Sequence, residues 1–156
     1  NLAPRPASLY CRTGHPLLEP GRTAPSPEQV PLFPWAAVQM APAIGVQLRA
    51  LFGMAADSEL PLTLSCDNQA LLRETVLGSD TLLLTWQAWL QSDLASGTVV
   101  DLGARLRPAL PAQAMRLGLG IVHLAGRTLS PAANKLIKLV LESESSVNHG
   151  VDQRRT

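Results

Sequence analysis

The sequence predicts an α/β fold, a mostly parallel sheet with helices on both faces, and three observations carry that prediction. Strand-like apolar runs alternate with amphipathic helical stretches at the spacing of βαβ crossovers. The run over residues 81–85 has the character of a strand buried on both faces, as parallel strands are. Two of the helical stretches stop at a glycine, Gly78 and Gly97, before the next strand begins.

Taken in order, the first strand occupies residues 8–12 and meets Gly14, His15 and Pro16, which must turn. Residues 17–34 are dense in proline and lack periodicity, so a stiffened loop that connects rather than packs is expected. A short buried strand over 35–40 ends at Ala41 and Pro42. Residues 43–56 then place Ile44, Leu48, Leu51, Phe52 and Ala55 on one helical face. Residues 60–66 alternate Leu60, Leu62, Leu64 and Cys66 against Pro61, Thr63 and Ser65. Asp67 is the expected cap of a helix carrying Leu71, Leu72, Thr75 and Val76.

The third strand, 81–85, precedes a helix whose stripe is Trp86, Trp89, Leu90 and Leu94, and residues 98–102 form a fourth strand. Two prolines within 105–111 and a strand over 117–124 suggest that the chain leaves one packed unit for another. The last helix has Ser130 as its N-cap and Pro131 where a missing N–H costs nothing. Ala133, Leu136, Ile137, Val140 and Leu141 make a stripe that something must cover. Residues 143–156 are polar and without periodicity, which reads as a fraying end or tail.

Composition narrows the function classes. Apolar residues are 46% and charged residues 16% of the 156, a globular balance long enough for one domain or a domain plus part of a second. The net charge is +1 with Lys and Arg scattered, so no stripe is present to grip a phosphate backbone. The longest apolar runs fall short of the roughly twenty residues that span a bilayer. No signal-like stretch opens the chain, which points to the cytoplasm.

In an open α/β sheet, ligands bind beyond the carboxyl ends of the strands, where helix N-termini present N–H groups. That rule selects Met40, Ala41, Pro42 and Ala43 after one strand, Cys66 and Asn68 after the next, and Thr85 and Trp86 after the third. Each has a plainer role available: Thr85 as a helix cap, Trp86 as packing, Asn68 as a turn residue. An enzyme would need Cys66 as nucleophile with His15 or His123 as base, a geometry no spacing supplies. Cys11 and Cys66 are expected as free thiols, since they fit no metal or redox spacing. Asp67, Glu74 and Asp80 fall on separate elements, the histidines have no metal-ligand spacing, and no phosphate loop is present. The expectation is a binding module with no cofactor and no metal.

Three passages carry a resemblance. Arg12-Thr13-Gly14-His15-Pro16-Leu17 resembles the Gly-His-Pro-Leu turn of LysR-type transcriptional regulators. Leu32-Phe33-Pro34-Trp35-Ala36 is similar to the strand that opens the second lobe of their effector-binding region. The passage from Leu119 through Gly120, Gly126, Arg127, Ser130 and Pro131 to Ala133 resembles its returning strand and final helix. The chain departs from the pattern at Gly78-Ser79-Asp80 and at Trp86, where the family commonly has a Gly-x-Gly turn and a proline.

The resemblance implies a periplasmic-binding-protein-like lobe of type II, with crossing strands and a C-terminal helix that belongs to the other lobe. Residues 1–16 would be the first crossing strand and turn, 17–104 lobe two, 105–145 the returning strand and final helix of lobe one, and 146–156 a tail. It further implies a small-molecule effector (carboxylate, aromatic acid or sugar-like) bound between two lobes, with Met40 to Ala43 bordering the pocket. The whole protein would be a homodimer or homotetramer and would touch DNA only through an N-terminal domain preceding Asn1. A solute-binding protein of a transporter, working in the periplasm, shares the fold and is the alternative.

Overall fold

Alternating burial along β1 (Arg5–Arg12) sets up two layers. Leu9 and Cys11 face one, Tyr10 faces the other, and all three are buried. The computed structural model describes residues 2, 4–21, 23–111, 115–117 and 120–152. The chain divides into two compact units: Pro6–Arg116 is one, and Asn1–Arg5 with Leu117–Thr156 the other.

In the first unit the strands lie in the order β3 (Leu62–Ser65), β2 (Trp35–Ala37), β4 (Leu82–Trp86), β1, β5 (Val99–Asp101). β2 runs parallel to β3 and β4, whereas β1 runs antiparallel to β4 and β5. Four of these five strands therefore share one direction and β1 alone opposes them, so the sheet is mixed: β3, β2 and β4 are parallel as expected, and both pairings of β1 are antiparallel. A two-residue strand, β6 (Arg116–Leu117), pairs with β1 off this path.

Both faces are covered. α1 (Pro42–Leu51) contributes Leu48, and Phe52 follows it, against Leu9, Cys11, Trp35, Ala37, Leu82 and Leu84. Trp35 meets Phe52 edge to face, 5.3 Å between centroids. On the opposite face α2 (Gln69–Gly78) sets Leu72 and Val76 against Tyr10, Ala36, Leu83 and Val99. A 3-10 turn, Gln87–Leu90, adds Leu90 there and leads into α3 (Gln91–Ser96), which Gly97 closes at φ 73°. Among the described residues, no helix is long and apolar enough to cross a membrane.

Several expectations need correction. The proline-rich spacer packs as well as connects: it holds 3-10 turns at Pro16–Leu18 and Pro27–Leu32, and buries Leu17, Pro25, Pro27 and Val30. Proline fixes φ and lowers the entropy lost on ordering, so an aperiodic segment can still join a core. The Val30 carbonyl accepts from Trp35 Nε1 at 3.2 Å, tying spacer to sheet. β2 stops at Ala37 instead of Met40, and α1 stops at Leu51, which leaves Ala55 exposed. Trp86 ends β4 and does not open the third helix.

The last α-helix, α4 (Pro131–Asp152), belongs to the second unit. Ser130 Oγ accepts from the Ala133 amide at 3.2 Å, as its position as N-cap requires. The helix runs on to Asp152, through most of the segment expected to fray; residues 153–156 lie outside the described ones. Its expected stripe is only partly covered among the described residues: Ala133, Ile137 and Val140 are half-buried, whereas Leu136 is 63% exposed and Leu141 is exposed too, as is Leu139 beside the stripe. The strand expected over 117–124 is also absent among the described residues 120–124; Gly118 and Leu119 lie outside them. Ile121, Val122 and Leu124 are exposed, and a strand with no partner and no buried face does not persist.

Candidate functional site

The carboxyl ends of β2, β3 and β4 align because their register does. Ala37 pairs with Ser65 on one side and with Leu84 on the other. The following residues, Val38, Cys66 and Thr85, therefore stand in one row at one edge of the sheet. Sequence reasoning selected this edge, and the structure brings all three loops to it.

After β2, Met40 is half-buried against the core, while Ala41, Pro42 and Ala43 are exposed. α1 starts without a side-chain cap: Ala41 has no oxygen to offer and Pro42 has no N–H. The Ile44 amide turns back onto the Ala41 carbonyl at 2.9 Å. After β3 the situation is reversed. Asn68, in place of the expected Asp67, caps α2, its Oδ1 accepting from the Leu71 amide at 3.1 Å. The reason is spacing, since the N-cap side chain must reach the N–H three residues on. The Cys66 amide donates to the Ala37 carbonyl at 3.2 Å, and its half-buried thiol lies 3.8 Å from the Asn68 carbonyl.

The end of β4 is chemically the most distinctive part. Thr85 is not a helix cap; it lies within the strand, directly opposite Ser8 of β1, and is 3% exposed. Thr85 Oγ1 and Trp86 Nε1 are both buried and have no hydrogen-bond partner among the described residues. Leaving a buried polar atom unpaired costs about 1–3 kcal/mol, so two in succession mark a place where a partner would be stabilising. Trp86 stands edge-on to Trp89, with centroids 5.0 Å apart and an interplanar angle of 86°.

Two ionic features of this region escaped sequence reasoning. Arg73 of α2 donates from Nε and Nη2 to both carboxylate oxygens of Asp93 in α3, at 2.9 and 2.7 Å. The Arg73 bonds hold the nearly buried Asp93 carboxyl below its ordinary range. Ser8 Oγ donates to Asp101 Oδ1, which also accepts from the Ala104 amide at 3.2 Å. Both pairs join residues on separate elements, and no local spacing in the sequence announces them.

The arrangement does not support nucleophilic chemistry at Cys66. Both ring nitrogens of His15 are committed: Nδ1 accepts from the Leu17 amide at 3.1 Å, and Nε2 lies 3.1 Å from the Asp80 carbonyl. His15 is fully buried and rests on Phe33, 4.7 Å between ring centroids. Cys11 is a core thiol whose pKa burial pushes up to about 12. Among the described residues, no group of three or more His, Cys, Asp or Glu side chains could hold a metal ion.

No family profile matches the chain. It is 33% identical over 140 residues to the SDS degradation transcriptional activation protein of Pseudomonas sp. (strain ATCC 19151), an alignment that takes in 90% of this chain and 43% of that protein. The fold is similar to that of the effector domain of the transcriptional regulator AmpR of Pseudomonas aeruginosa, with a TM-score of 0.62 at 16% identity. That match takes in 96% of this chain and 66% of the other. It is also similar to the AmpR effector binding domain from Citrobacter freundii, with a TM-score of 0.58 at 14% identity over 94% of this chain and 67% of that one. The chain thus spans less than half of its curated relative.

Proposed function

We propose that, over the stretch it spans, the chain belongs to the effector-binding domains of LysR-type transcriptional regulators, and that it senses a small molecule at the carboxyl ends of β2, β3 and β4. These domains are a non-enzymatic class. The observation that carries the proposal is the pair of buried, unpartnered polar atoms, Thr85 Oγ1 and Trp86 Nε1, at the edge where the three parallel strands end. Met40, Ala41, Pro42, Ala43, Cys66 and Asn68 border the same edge and are proposed as its other contacts.

The uncapped start of α1 suits an anionic group, because its first amides carry the positive end of the helix dipole. Carboxylates and aromatic acids are therefore the leading effectors, with sugar-like molecules next. The relative named for SDS degradation adds alkyl sulfates to that set. In the whole regulator, the effector would sit between two lobes and shift their relative orientation. A homodimer or homotetramer would pass that shift to DNA-binding domains outside this chain. The scattered charge of the chain itself fits such a division of labour.

Thermal melting of the full-length regulator against carboxylates, aromatic acids, sugars and alkyl sulfates tests the proposal. At about a hundred times its Kd, a true effector adds roughly 2.7 kcal/mol of stability, a clear rise in Tm with no product formed. If no member of the panel shifts the melt, sensing at this edge is refuted.

A further inference from the structure

Between α2, β4 and the turn Gln87–Leu90 lies a recess of about 130 Å3. Its body is apolar, formed by Leu72, Leu83 and Leu90 with Trp89 at the side. An enclosed apolar cavity of roughly 150 Å3 takes up one benzene ring, and this recess, partly open to solvent, offers room of that order for a single small ring.

Three polar side chains also line it: Gln69, exposed at the start of α2, Thr85 and Arg73. Thr85 is one wall, and its buried hydroxyl has no partner. A turn about its Cα–Cβ bond exchanges methyl and hydroxyl between staggered positions and presents the hydroxyl to the recess. Arg73 is another wall, yet its charge is spent: it is bonded to both oxygens of Asp93, and Nη1 reaches Glu74 Oε1 at 2.8 Å. Arg73, the cation among the lining residues, is thus already paired with two carboxylates, and an anion entering the recess would lose hydration without gaining a free counter-charge.

We propose that this recess is a subsite for an uncharged molecule of phenol size, an apolar ring bearing one hydroxyl, held by the three leucines and hydrogen-bonded to Thr85. The proposal rests on the sensing reading above and deepens it: Thr85 Oγ1, one of the two atoms that reading leaves for a partner, takes a neutral hydroxyl beneath α2, while anionic groups are left to the start of α1.

The test is methyl NMR of the chain with phenol, benzene and benzoate as probes. Phenol should shift the methyls of Leu72, Leu83 and Leu90 saturably, and benzoate at equal concentration should leave them in place. Thr85→Val keeps the shape and removes the hydroxyl. It should weaken phenol roughly fivefold, the loss expected of one neutral hydrogen bond, while leaving benzene unchanged. Ala70→Leu, on the exposed side of α2, should fill the recess and abolish phenol binding, which keeps the test decisive if the Thr85 variant folds poorly. Benzoate binding as well as phenol, a Thr85→Val variant as good as the parent, or no shift at the leucines would each overturn the proposal. Carboxylate stabilisation of the full-length regulator without phenol binding here would overturn this inference alone. Phenol binding without any stabilising carboxylate, acid, sugar or sulfate would instead refute sensing at the strand ends.

Discussion

His15 is the residue whose chemistry most clearly depends on its surroundings. Burial, above all, holds its pKa below the ordinary 6.5, and the amide it accepts at Nδ1 requires that nitrogen to be unprotonated. The unfolded chain therefore binds a proton near pH 6.5 that the folded chain refuses, so stability is full above that value and falls as pH drops below it. A melt series from pH 7.5 to 5 should show this decline, and His15→Gln should flatten it; equal slopes would count against the assignment. Asp93 behaves in the same sense further into acid. Its depressed pKa contributes stability that is present above the ordinary 3.8 and lost as pH falls through the folded value. Gly103 is fixed by crowding, since a Cβ there would overlap Ser8 Oγ, which is held by Asp101. Gly103→Ala should cost about 1–3 kcal/mol in chemical denaturation.

Among the elements, α2 and α4 give opposite lessons. α2 has a satisfied N-terminus and two fully buried anchors, Leu72 and Val76. Asn68→Ala should cost about 1 kcal/mol by urea denaturation, whereas Asp67→Ala should change little; the reverse order would contradict the cap. α4 instead carries exposed leucines, and apolar surface of that kind promotes association. Leu136→Lys with Leu139→Glu should increase the monomer fraction in analytical ultracentrifugation without altering the circular dichroism. An unchanged distribution would show that this face drives no association. Within residues 35–102 the helices and β3 were legible from periods of 3.6 and 2, and β2 and β4 from short apolar runs, though not their exact ends. The spacer was not, because Pro25, Pro27 and Val30 are buried without any period. Nor was the absence of a strand at residues 120–124, where apolar composition stood in for a partner that the strand lacks.

At the scale of the whole molecule, the direction of β1 is what sequence could not supply. Its apolar alternation predicts a strand but not that it enters between β4 and β5 against four others, because pairing depends on contacts about ninety residues away, as Ser8 with Asp101 shows. The candidate edge was legible for the opposite reason: parallel strands followed by helices must all end on the same side. The orphaned Thr85 and Trp86 atoms, the Arg73–Asp93 pair and the recess beneath α2 arise only when separate elements meet. The central claim is that effector binding engages the three loops at that edge together. Hydrogen exchange on the full-length regulator, with and without a stabilising effector, tests it most directly. The account predicts slowed exchange in residues 40–44, 66–69 and 85–88 at once. Effector binding that leaves all three segments exchanging at their original rates would contradict it.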